Sequence, residues 1–191
     1  MHKHLFANAA ALTAALAVAC AAHAQGAPMT HKETVQQGLK VIEEGKSAKR
    51  DGGPSACSLL TRADVHKATG KDPYDNPTET PLAGGTACMI GDAQLMLFSG
   101  PDSWQRYENF LKGFKADKDP RKPVSGIGDR AYILFPAPRN SYQRENPSAV
   151  LVVQRGPHTL ALSQQADRGK PAESTQPVLT SLMKVAIAKL P

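Results

Sequence analysis

The sequence predicts an α+β fold: an antiparallel sheet of about five strands with helices packed on one face, stapled by one disulfide. The expected order is helix, hairpin, helix, three strands, helix. Three observations predict it. Apolar runs of strand length are separated by short glycine-bearing turns, Gly91-Asp92 and Arg155-Gly156-Pro157, and amphipathic stripes at helical spacing alternate with the hairpins. Two cysteines, Cys57 and Cys88, follow a stretch with the make-up of a secretory signal peptide.

That stretch comes first. Met1-His2-Lys3-His4 is a short basic start, Leu5 to Cys20 is apolar and alanine-rich, and Ala22-His23-Ala24 fits a small-x-small cleavage site. The apolar run is shorter than a membrane span and no second one follows, so no transmembrane segment is expected. A rival reading is a lipoprotein cleaved before Cys20 and acylated there. Ala17-Val18-Ala19 lacks the leucine usual three positions ahead of such a cysteine. The expected compartment is the periplasm or the exterior. Loss of Lys3 with the signal takes the net charge from +6 to +5.

Residues 25–54 read as a leader helix and flexible linker. Thr30-His31-Lys32-Glu33 has capping-box spacing, and Val35, Leu39 and Ile42 recur at helical intervals. Residues 46–54 are charged and glycine-rich without apolar periodicity. The domain itself spans 55–191, long enough for one core. Its first helix is capped by Thr61 with Asp64 reaching back, flanked by a Leu60–Val65 staple and ended by Gly70. A proline- and threonine-rich loop over 71–85 follows.

Strands over 86–90 and 93–98 flank Gly91-Asp92, a hairpin connection whose register sets Cys88 opposite Leu95, with Ile90 and Leu97 on the same face. Asp102 caps a second helix, Gln105 lies at capping-box distance, and Trp104, Tyr107, Phe110, Leu111 and Phe114 form its stripe. The stripe reads as core rather than as a sugar-stacking platform. A basic loop over 116–123 leads to a strand over 130–135, then a polar loop over 136–147. A second hairpin, 148–154 with 158–164, turns at Arg155-Gly156-Pro157. A final helix over about 173–190 buries Val178, Leu179, Leu182, Met183, Ala186 and Leu190, with Lys184 and Lys189 near its C-terminus.

Cys57-Ser-Leu-Leu-Thr-Arg-Ala-Asp-Val65 with Gly70, Gly85-Thr-Ala-Cys88 and Gly126-Ile-Gly-Asp-Arg-Ala-Tyr132 together resemble a group of small secreted bacterial proteins and lipoproteins that carry domains of unknown function. The resemblance covers about 55–190 and rests on three short motifs. It implies the fold and the cysteine pair. It implies no catalytic residue, and the poor lipoprotein site departs from the group's common form.

Given export, Cys57 and Cys88 read as a disulfide. Two cysteines with scattered histidines do not make a zinc site, and there is no Cys-x-x-Cys for redox chemistry. Gly126-x-Gly128-Asp129 precedes a strand rather than a helix, so it reads as a turn and not a phosphate loop, with Asp129 bonding backbone amides and meeting Arg130 in a polar cluster. No Gly-x-Ser-x-Gly elbow is present, and the mature chain keeps three histidines, His31, His66 and His158. No metal or cofactor is expected.

The charge is spread over Lys112, Lys115, Lys118, Arg121, Lys122, Arg139, Arg144, Arg155, Arg168 and Lys170 without an arginine-rich tract. That excludes a nucleic-acid site as the first reading and leaves only weak attraction to anionic surfaces. The leading expectation is a non-enzymatic binding or adaptor module of the periplasm or envelope. It would act on a protein or small ligand through an exposed sheet face or through the loops 71–85 and 136–147. The alternatives are a protein inhibitor or envelope-interaction protein using the disulfide-closed loop 71–85, and a hydrolase with a scattered site.

Overall fold

The computed structural model describes residues 53–114, 116–138 and 141–191, together with Gln36, which is helical and exposed. The expected signal peptide with Cys20, and nearly all of the expected leader and linker, lie outside the described residues. So do Lys115 and Arg139.

A seven-stranded antiparallel sheet forms the centre, in the spatial order β1-β2-β3-β7-β6-β5-β4. Its strands are β1 (Thr78–Leu82), β2 (Gly85–Ile90), β3 (Ala93–Ser99), β4 (Arg121–Pro123), β5 (Arg130–Leu134), β6 (Ser148–Arg155) and β7 (His158–Gln165). They form two meanders, β1 to β3 and β4 to β7, joined where β3 pairs with β7. Five helices accompany them among the described residues: α1 (Ala56–Leu59), α2 (Arg62–Thr69), α3 (Ser103–Gly113), α4 (Ser141–Glu145) and α5 (Gln176–Ala188). A 3-10 turn, Ala172–Thr175, leads into α5.

The expectation of about five strands with helices on one face is therefore corrected in both respects. The two extra strands are the sheet edges. β1 lies inside the expected loop 71–85, where Pro81 and the polar Thr78-Glu79-Thr80 mask it. β4 is three exposed residues, Arg-Lys-Pro. Both are held by pairing with a neighbour rather than by apolar alternation. Pro81 and Pro123 withhold donors from the outer edges, which guards them against further strand addition.

Helices cover both faces. α1, α2 and α5 pack with Leu95, Leu97, Leu151, Val153, Leu160 and Leu162 on one side. On the other, α3 brings Tyr107, Leu111 and Phe114 against Phe98, Leu134 and Val152. Ala93, Gln94, Leu95, Met96, Leu97 and Phe98 of β3 are consequently all buried, as a strand covered on both sides requires.

Several local expectations hold. Thr61 and Asp64 form the capping box of α2, and Gly70 ends it at φ 71°. Cys88 pairs with Leu95 in the β2–β3 hairpin. The β6–β7 hairpin turns through Gly156 and Pro157. Asp102 occupies the N-cap of α3 but its carboxylate does not cap; it accepts instead from Arg106 Nε at 2.9 Å. The final helix begins later than expected, at Gln176, because the 3-10 turn takes up the preceding residues.

Candidate functional site

The cysteine pair is bonded. Cys57 and Cys88 form a disulfide with Cα atoms 4.9 Å apart. It fastens α1 to β2, and the neighbouring bonds point the same way: Ala56 N–H donates to Thr86 Oγ1 at 3.0 Å, and the Ser55 hydroxyl donates to Glu79 of β1. The bond is a staple between α1 and β2, and neither cysteine lines the cleft described next.

A cleft of about 210 Å³ opens at one end of the sheet. That is room for much more than one water, which needs about 10–15 Å³. Its floor is apolar: Val65 of α2, Ile90 of β2 and Val178 of α5. Gln164 and Gln165 of β7 with Thr69, Ser174 and Thr175 make the walls. Lys71, Asp72, Tyr74, Asp92 and Asp167 form the rim. The end of α2 and the segment that follows it, the Gly91-Asp92 turn, the end of β7 and the start of α5 with its 3-10 turn thus meet there.

Within the cleft, Gln164 is 9% exposed. On the sheet it stands between Ala93 of β3 and Ala149 of β6, whose short side chains leave space beside it. Its Nε2 donates to the Gln165 carbonyl at 3.3 Å, which fixes the orientation of the amide. Its Oε1 is buried and has no hydrogen-bond donor among the described residues. At the rim, Lys71 pairs with Asp167; that hydrogen bond raises the Lys71 ammonium against the opposing effect of burial, and the Asp167 and Asp92 charges add to it. Tyr74 donates to Asp92 Oδ1 at 3.4 Å. Burial first, then the Asp92 and Asp75 carboxylates, raise its phenol.

The two expected binding loops converge here. The segment 71–74 lines the cleft directly. The loop 136–147 contains α4, whose Tyr142 hydroxyl donates to Gln165 Oε1 at 3.4 Å. Tyr74 and Tyr142 are also the two large apolar side chains most exposed on the described surface, at 71% and 57%. The sheet face expected to stay open for a partner is not open, because α3 covers it. Loop 71–85 is not one free loop, since Thr78–Leu82 is β1. Sequence reasoning placed the loops but missed Gln164, which reads as one more polar residue in a strand.

The histidines lie apart. His66 Nδ1 sits 2.9 Å from Asp72 at the outer rim, with both side chains more than half exposed. His158 meets Ser99 Oγ at 3.0 Å, but the two are cross-strand partners at the far end of β3 and β7. The seven residues from Asp92 to Ser99 put that pair about 20 Å from the cleft. Burial lowers the His158 imidazole, and no carboxylate bonds to it among the described residues. Asp129 does bond a backbone amide: it accepts from Gly156 N at 2.6 Å, docking the Gly126–Gly128 turn on the β6–β7 hairpin, with Arg155 3.5 Å away. Arg130 leaves that cluster and lies over the half-buried Trp104 ring at 3.7 Å. Among the described residues no group of three or more His, Cys, Asp or Glu is placed to hold a metal, and no helix is long and apolar enough to cross a membrane.

Comparison with protein-family models, with curated proteins and with solved structures finds no match for this chain.

Proposed function

We propose that the chain is an exported, non-enzymatic binding module of the bacterial periplasm or cell envelope, and that the cleft between α2, β7 and α5 seats its ligand. The observation that carries this reading is Gln164 in the wall of the cleft, whose buried Oε1 has no donor among the described residues. An orphaned buried acceptor destabilises a protein unless something supplies its bond. Exposed Tyr74 at the opening, with exposed Tyr142 bonded to the lining residue Gln165, adds contact surface, as expected where a ligand docks. The signal-like residues 1–24 and the Cys57–Cys88 bond support export.

Native mass spectrometry tests the reading. The protein is equilibrated with the small-molecule fraction of an envelope extract, beside Gln164→Leu and Tyr74→Ala. The expected result is a bound mass that both substitutions remove. A bound mass that survives both, or no bound mass at all, overturns the cleft as the seat.

A further inference from the structure

Resting on that reading, we propose that the cleft takes a primary ammonium group carried on a short aliphatic stem. The chemistry of its lining selects this class. Asp72, Asp92 and Asp167 bring three carboxylates to the cleft, and Lys71 is the one lysine or arginine among the described lining residues. Lys71 is itself held by Asp167. His66 lies 2.9 Å from Asp72, so Asp92, which accepts from the Tyr74 hydroxyl, is the lining carboxylate with no basic side chain bonded to it among the described residues, in a chain whose net charge is +6.

Gln164 supplies the second, independent requirement. Its Oε1 is a buried acceptor with no donor among the described residues, so a ligand that reaches it as the side chain turns toward the cleft gains by carrying a donor. An ammonium is a donor only, with no lone pair to conflict with that oxygen or with the carboxylates. Tyr74, 71% exposed, offers a ring face beside Asp92, where a cation gains from both the ring and the carboxylate. Val65, Ile90 and Val178 give the methylene stem an apolar floor. An anion meets repulsion, and a neutral polyol can donate to Gln164 and to the carboxylates but brings no positive charge to offset theirs.

The same group occurs at the end of a free diamine and at the end of a lysine side chain. Titration calorimetry at low salt separates them, using 1,4-diaminobutane in one arm and Nα-acetyl-lysine-N-methylamide in the other. 1,4-Butanediol and glucose serve as neutral arms. The expected result is one-to-one binding of at least one amine, with butanediol at least about tenfold weaker. Asp92→Asn and Gln164→Leu each weaken the amine by about tenfold or more. Gln164→Leu also leaves the melting temperature of the free protein unchanged or higher, because it removes the orphaned acceptor; this separates lost binding from lost folding.

Binding by the diamine alone assigns a free amine, and binding by the lysine derivative alone assigns a lysyl side chain. Equal binding of butanediol, or amine binding indifferent to both substitutions, overturns the inference. So does the absence of amine binding. In those cases an extract-derived mass still lost in Gln164→Leu keeps the cleft as the seat and rejects only the ammonium.

Discussion

The turn at Gly126 and Gly128 shows how closely a single residue is bound by its surroundings. Both glycines have positive φ, 77° and 64°. A Cβ at Gly126 would meet nothing within 4 Å, whereas one at Gly128 would stand 2.3 Å from Val153 Cγ1 and 2.4 Å from the Gln154 carbonyl. Gly126→Ala is expected to cost about 1–2 kcal/mol, the strain of a left-handed alanine. Gly128→Ala adds a clash with backbone and should cost at least about 2 kcal/mol more. Urea unfolding of the two variants measures the difference; equal costs would show that the turn does not sit against β6 as described. The glycine pattern announced a turn, but its target did not show in the sequence. Asp129 bonds Gly156, which lies 27 residues away.

At the scale of elements, α2 is tied twice at its N-terminal end. The disulfide fixes α1 just ahead of it, and Lys189 at the end of α5 reaches Asp64 at 2.7 Å. Burial pushes the Asp64 carboxyl up, but hydrogen bonds from Lys189 and Thr61, with the Lys189 charge, outweigh it and leave the group below its ordinary 3.8. A carboxyl held lower in the folded chain stabilises it above the unfolded value, and that contribution is lost as pH falls through the folded value. Asp64→Asn should therefore be less stable than wild type at about pH 7, with the gap closing below about 3.8. A gap unchanged at about pH 2 contradicts this. The disulfide closes a loop between residues 31 apart, for which chain entropy gives ~3.7 kcal/mol. Cys57→Ser with Cys88→Ser should lose about that much in chemical unfolding, and a loss under ~1 kcal/mol would show that α1 is held by packing alone. The strong elements were legible because each carries its own signal: the Thr61 and Asp64 box, Gly91-Asp92 between apolar runs, the stripe from Leu179 to Ala186. β1 and β4 were not, because an edge strand is defined by its neighbour's unpaired backbone and not by its own side chains.

For the whole molecule, the second helical layer was the larger correction. It follows from β3, β6 and β7, whose runs Leu95-Met-Leu-Phe98, Ala149-Val-Leu-Val-Val153 and Thr159-Leu-Ala-Leu162 do not alternate. Unbroken apolar strands are the mark of a sheet covered on both sides. With α3 over one face and α1, α2 and α5 over the other, and with prolines in both edge strands, the sheet offers neither an open face nor an extendable edge. Binding is thereby directed to the ends of the strands, where the loops 71–77 and 136–147 bring their tyrosines together. The cleft depends on long-range pairing of β7 with β3 and β6, so its key residue, Gln164, carried no local signal. The most direct test is the nitrogen–proton spectrum of the protein during titration with 1,4-diaminobutane. The Gln164 side-chain amide should shift together with the backbone amides of Gly91, Asp92 and Asp167. Shifts confined to other surfaces, such as the basic loop 116–123, with Gln164 unmoved, would contradict a ligand seat at this end of the sheet.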